Sequence, residues 1–260
     1  MAAQSFGDRL EARAREVGHI LCLGIDPDLE RLPLGLDGWE TFVNGLVDRL
    51  EPAALKPNAA YFEALGSNGW AWLERLVARV RGRIPLILDG KRGDIGPSSR
   101  AYARSAFEHL GADALTVSPW MGQDSLQPFL DYAPQHGLYV LVRTSNPGHA
   151  TFQGLRLEGG QPLWHRVYEQ VRQWQTGAVV GATNLEDLAW CASEVPLLIP
   201  GVGTQGGEAQ EVIRALGPER TRHRVNVSSK IVFACEDGPQ RDPLEAALAA
   251  FAQFAGELPI

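Results

Sequence analysis

Short apolar runs rich in branched residues recur along the chain at 19–26, 53–58, 84–91, 112–119, 138–145, 177–183, 195–203 and 224–230. Runs with so few polar interruptions suit parallel strands covered on both faces, not the alternating strands of a half-exposed sheet. Between them the apolar positions change to a period near 3.6 residues. Phe42, Val43, Leu46, Val47 and Leu50 fall on one stripe of 39–51, and Trp70, Leu73, Leu76, Val77 and Val80 do the same in 68–82. The pattern predicts further helices over 5–17, 98–110, 123–133, 161–174, 185–193, 206–216 and 242–255. Gly82, Gly111 and Gly217 stand where a helix-ending glycine belongs.

Eight strands alternating with helices predict an α/β fold, a (β/α)8 TIM barrel with the extra N-terminal helix 5–17 closing its bottom. The competing open doubly wound sheet carries G-x-G-x-x-G after its first strand, whereas this first strand ends in GIDPD. No composition break or linker divides the chain, so one barrel domain is expected over 1–260. The length of 260 residues, with 45% hydrophobic and 21% charged residues, fits such a domain.

The formal charge of −7 disfavours a nucleic-acid partner, which needs a basic face. An anionic substrate would require cations concentrated in one place. Cys22, Cys191 and Cys235 are odd in number and at no metal or redox spacing, which argues against a disulfide framework. The first twenty residues mix charged and apolar positions at helical spacing and lack the apolar core of a secretion signal. No run approaches the roughly 18 apolar residues of a membrane span. A soluble, cytoplasmic protein without a membrane partner is expected.

Barrel chemistry sits where strands end. Those positions hold Asp26, Lys56, Asp89, Lys91, Asp94, Ser118, Thr144, Ser145, Thr183, Asn184, the turn 201–207 and the polar residues 228–230. Charge gathers at the first three strand ends, which suggests a charged reaction centre facing a neutral, hydrogen-bonding pocket. In LDGKRGD (88–94), Asp89 and Lys91 are two apart on a strand and should share a face. With Lys56 from the next strand and Asp94 from the loop, they form a set of two lysines and two carboxylates. Such a set holds Lys91 protonated and in place, as a proton donor must be. An isolated D-x-K is more often a structural ion pair, but Lys56 and Asp26 at adjacent strand ends favour chemistry. A Schiff-base lysine needs a depressed pKa, the opposite of what flanking carboxylates give.

PGVGTQGG (200–207) follows the seventh strand, where barrels often bind phosphate between the last two loops. The long connection 144–161 has the length of a functional lid, and Ser145 at its base could hydrogen-bond a polar ring edge. The six histidines show no metal spacing, the tryptophans lie mostly in helical stripes, and no G-x-S-x-G elbow occurs.

LGIDPD, LKPNAAYFE and LDGKRGDI at the first three strands, with SPWMGQDSLQPF, VRTSNPG and PGVGTQGG later, resemble the orotidine 5′-phosphate decarboxylase family in its longer bacterial subgroup (type 2). The resemblance runs from about residue 19 to about 233. It implies a homodimeric (β/α)8 barrel that needs no metal or cofactor and converts orotidine 5′-phosphate to uridine 5′-phosphate and carbon dioxide. It also implies roles. Lys91 would protonate pyrimidine C6, and Asp89 would lie beside the substrate carboxylate. Asp94 and Ile95 would reach the partner subunit's site, and Asp26 and Lys56 would hold ribose hydroxyls. Ser145 would bind the pyrimidine edge and Gln205 the phosphate.

Two positions depart from the family pattern. Ser98 stands where a threonine usually contacts the ribose across the dimer. Ser228-Ser229-Lys230 replaces the usual Ser-Arg that grips the phosphate, leaving Ser229 or Lys230 to do so. Lysine lacks the bidentate fork of arginine, so weaker phosphate binding is expected. A metal-dependent phosphosugar aldolase or synthase on the same scaffold would need further carboxylates, where Thr183 and Asn184 stand instead. A non-catalytic nucleotide-binding barrel is the third reading.

Overall fold

The eight apolar runs form eight parallel strands: β1 (Leu21–Ile25), β2 (Ala54–Pro57), β3 (Ile87–Arg92), β4 (Ala114–Val117), β5 (Gly137–Arg143), β6 (Gly177–Val180), β7 (Leu197–Pro200) and β8 (Arg224–Val227). Their order in the sheet is β2-β1-β8-β7-β6-β5-β4-β3. Parallel bridges Leu55–Leu86 and Asn58–Asp89 bring the two end strands together and close the barrel. The computed structural model describes residues 4–203, 208–237 and 242–260.

The expected helices are present: α1 (Phe6–Val17), α2 (Gly35–Arg49), then α3 (Ala59–Ala64) and α4 (Gly66–Val80), then α5 (Gly96–Ala103), α6 (Gln123–Leu130), α7 (Leu163–Gln173), α8 (Leu185–Ala192) and α9 (Ala209–Leu216). After β8 come α10 (Ser229–Val232), α11 (Ala234–Asp237) and α12 (Pro243–Glu257). Two corrections concern the helices. The short α3 was not expected; the Asn58 side chain caps it by accepting from the Ala60 N–H at 3.2 Å. The expected helix 98–110 changes to π-helical turns over Arg104–Leu110.

Two apolar layers result. The larger lies between strands and helices and contains Trp39, Leu46, Trp72, Leu76, Tyr168 and Phe251. The smaller lies inside the barrel, where Cys22, Ala54, Ile87, Ala114, Tyr139, Val179 and Leu198 meet Phe6 and Leu10 of α1. Helix α1 therefore closes the amino-terminal end of the barrel, as expected. Its start is fixed by a capping box between Ser5 and Asp8. Gly137 makes room for it: a Cβ there would stand 2.1 Å from the Phe6 ring. The fully buried Arg224 lies at the same end, and carbonyls of Leu10, Ala53, Thr221 and His223 accept from its guanidinium. Burial pulls its pKa down to about 10. Helix α1 packs across this end, and barrels carry their chemistry at the other, at the carboxyl ends of the strands.

No helix among the described residues is long and apolar enough to cross a membrane. The three cysteines are free, with Cys22 and Cys191 buried.

Candidate active site

Inward-facing positions one layer above the apolar plug change from apolar to polar. Along β1 they run Cys22, Gly24, then Asp26 beyond the strand end; along β2, Ala54 then Lys56; along β4, Ala114 then Thr116. Register pairs Gly24 with Lys56, and the Asn58–Asp89 bridge brings β3 alongside β2. The polar layer is thus built by side chains from neighbouring strands.

Asp89 is its centre. Its Oδ2 accepts from Lys56 Nζ at 3.1 Å, and its Oδ1 accepts from Lys91 Nζ at 2.6 Å and from the Thr116 hydroxyl at 2.9 Å. The Lys56 and Asp89 side chains are 5% and 11% exposed, whereas Lys91 is 49% exposed and reaches the open mouth. Burial opposes the charge on Asp89, but the two ammonium groups outweigh it and hold the carboxyl well below the usual carboxylate range. Burial opposes the charge on Lys56 as well, and Asp89 and Asp26 outweigh it, raising this amine above the ordinary lysine range. Asp89 and Lys56 are therefore both ionised through the neutral range. Asp89 contributes stability above the normal carboxylate range and loses it as acid protonates the folded state. Lys56 contributes below the normal lysine value and loses it as base removes the proton. Beneath them, burial pushes the Cys22 thiol up to about 12, so it is inert at neutral pH.

Asp89 and Lys91 meet as expected, but not by simple strand alternation. Lys91 has φ +46°, the left-handed region, and the pairing of β3 with β4 shifts between Leu88 and Arg92. The sequence reading also missed Thr116. It is the polar residue inside the apolar run ALTV, sharing the inward face of Ala114, and that parity was the available signal.

Asp26 accepts from Ser228 Oγ at 2.6 Å, tying the end of β1 to the end of β8, while its Oδ1 is buried with no protein partner. Gly24 permits this closeness, since a Cβ there would lie 2.6 Å from Ser228 Cβ and 3.1 Å from Asn226 Oδ1. A Gly24→Ala variant is expected to be destabilised by about 1–3 kcal/mol, the usual cost of overpacking. A lowered thermal midpoint checks it, and an unchanged midpoint would show that β8 moves aside freely.

Asp94 does not join the cluster within its own chain. Its Oδ1 accepts from the Ile95 N–H at 2.7 Å, and it ion-pairs with neither Lys56 nor Lys91. Ser98 is half-buried in the first turn of α5. Ser145 lies past the end of β5, packed so closely on β6 that a Gly181 Cβ would stand 2.7 Å from its own Cβ. The connection after it is partly ordered by a 3-10 turn at Pro147–Thr151 and by Gln153, whose side chain bonds the Thr144 backbone N–H and hydroxyl. Ser229 is half-buried at the start of α10, and the stem of the exposed Lys230 lies 3.0 Å from where a Gly203 Cβ would be. Gln205 lies outside the described residues. Among the described residues, no group of three or more His, Cys, Asp or Glu side chains is placed to hold a metal ion.

Residues 19–238 match the model of the orotidine 5′-phosphate decarboxylase / HUMPS family. An orotidine 5′-phosphate decarboxylase of Herpetosiphon aurantiacus is 43% identical over 243 residues, covering 88% of this chain and 90% of that protein. The solved Leishmania donovani OMP decarboxylase superposes with a TM-score of 0.78 at 34% identity, over 98% of each chain. The Leishmania donovani UMP synthase gives a TM-score of 0.82 at 36% identity, covering 97% of this chain and 56% of that longer one. With a family model spanning most of its length and relatives this similar along both chains, the protein belongs to the orotidine 5′-phosphate decarboxylase / HUMPS family.

Proposed function

We propose that this chain decarboxylates orotidine 5′-phosphate to uridine 5′-phosphate, the last step of pyrimidine nucleotide synthesis, with Lys91 as proton donor to C6. The observation that carries the proposal is the Lys56–Asp89–Lys91 cluster, which presents one ammonium at the mouth of the barrel and anchors it from below. In the reaction the bond from C6 to the carboxylate breaks and its electron pair stays on C6. Carbon dioxide leaves, and the Lys91 ammonium donates its proton to that carbon. The ring delocalises this charge poorly, so a fixed ammonium beside it stabilises the transition state. Asp89 lies next to the departing carboxylate and, 2.6 Å from Nζ, holds the Lys91 side chain in place. Asp26 and Lys56 take the ribose hydroxyls, the unpartnered Asp26 Oδ1 being an acceptor awaiting a donor. Ser145 takes the pyrimidine edge. The phosphate rests between the last two loops against Gln205 and Ser229 or Lys230. This chemistry calls for no electron-sink cofactor and no metal.

The working unit in this proposal is a homodimer with shared sites. Ile95, Trp120 and Phe152 are 59%, 70% and 56% exposed, and the last two rings meet edge to face with centroids 5.5 Å apart. They come from the loops after β3, β4 and β5, an apolar rim of the kind a second copy covers. Asp94, unpaired with its own lysines, Ile95 and Ser98 would then face the partner's substrate.

Carbon dioxide release from orotidine 5′-phosphate by purified protein, with chelator present, tests the reading. Turnover that survives the chelator is expected. Tight uridine 5′-phosphate binding without turnover would overturn it in favour of a non-catalytic barrel, and turnover lost with the chelator would favour metal-dependent chemistry.

A further inference from the structure

We propose that Thr116 is a positioning residue that fixes both ends of Lys91 for proton delivery; this rests on Lys91 being the donor. The ladder between β3 and β4 pairs Leu88 with Leu115 and then Arg92 with Val117. Asp89, Gly90 and Lys91 therefore face Thr116 alone. An interrupted ladder leaves backbone groups without their regular partners, and buried ones must be satisfied otherwise. Here the Lys91 N–H donates to Thr116 Oγ1 at 2.9 Å. A hydroxyl carries a single proton, and that of Thr116 is donated to Asp89 Oδ1 at 2.9 Å. The same oxygen accepts from Lys91 Nζ at 2.6 Å. One side chain thus holds the lysine's backbone directly and its ammonium through the carboxylate.

The left-handed φ of +46° at Lys91 gives this ring its purpose. A residue with a Cβ is disfavoured there and persists only where its surroundings over-determine it. A change of φ at Lys91 would re-aim its Cα–Cβ bond, and with it the ammonium that now lies 2.6 Å from Asp89 Oδ1. Thr116 is 1% exposed, so water does not readily replace its hydroxyl. Two donors converging on the shared oxygen favour the ionised form of Asp89.

The test compares wild type with Thr116→Val, which keeps the shape and removes both bonds, and Thr116→Ser, which keeps the hydroxyl. The valine variant is expected to lose roughly 10- to 100-fold in kcat, the scale of a small misplacement of a reacting group, with KM and uridine 5′-phosphate affinity within about twofold. Serine should restore kcat to within about threefold of wild type. A structural role alone would lower kcat and nucleotide affinity together, and that outcome overturns the inference. So does a valine variant with wild-type kcat, or a folded serine variant as slow as valine. Should the valine variant not fold, Thr116→Ala against Thr116→Ser makes the same comparison, and equal rates overturn the inference. Wild-type turnover is measured first. Its absence sinks the decarboxylase reading and this inference with it, whereas active wild type beside an unimpaired valine variant sinks this inference alone.

Discussion

A Lys91→Ala variant should lose roughly 10⁴-fold or more in kcat/KM on orotidine 5′-phosphate while still binding uridine 5′-phosphate. Two contributions vanish together. A positioned general acid contributes about 10²- to 10⁴-fold, and a fixed charge at the developing anion is worth roughly 10²- to 10³-fold. The two act on one event and do not multiply cleanly, so the larger part of their product is the sensible expectation. The fold should survive the change. The Lys91 side chain is half exposed, and its removal leaves Asp89 paired with Lys56 at 3.1 Å and bonded to Thr116 at 2.9 Å. No uncompensated buried charge is created, which is what makes removal of an ion-pair partner destructive elsewhere. Steady-state turnover, calorimetric titration with uridine 5′-phosphate and a thermal melt read the three quantities separately. Turnover within about tenfold of wild type would remove Lys91 from the donor role. Loss of nucleotide binding would mean that the substitution had damaged the site as a whole.

The barrel was legible because its physical cause is written locally. Strands covered on both faces must be apolar without alternation, and each of the eight runs became a strand. The extra helix was legible because Phe6, Leu10 and Ala14 repeat at helical spacing before the first strand. What was hidden depends on hydrogen-bond register. The six residues of α3 are too few to show a period, and the change from α to π turns at Arg104 alters bonding without altering composition. The site shows the same division. Lys56, Asp89 and Lys91 were found because charge at the end of an apolar run is unusual. Thr116 was passed over because one threonine in ALTV is an ordinary strand residue. Its importance comes from the shift in β3–β4 pairing, and a sequence without its partner strand does not reveal register. Gly24 is similar: its place in GID shows a small residue, but the closeness of Ser228 arises only when β8 returns beside β1.

Mixing Lys91→Ala chains with Asp94→Asn chains should restore activity that neither variant has alone. Let each site be made of one chain's Lys91 and the partner subunit's Asp94. A mixed dimer then has one site with both native residues and one with neither. Random exchange of equal amounts makes half of all dimers mixed, so about one quarter of all sites become intact and activity should approach about one quarter of wild type. If each chain instead used its own Asp94, every site in every dimer would carry one defect and mixing would restore nothing. The structure favours sharing. Asp94 turns to the Ile95 N–H within its own chain and ion-pairs with neither lysine, and the neighbouring Ile95 is exposed. Differently tagged chains establish that exchange has occurred before rates are compared. Exchange without recovery would confine each site to one subunit and give Asp94 another task.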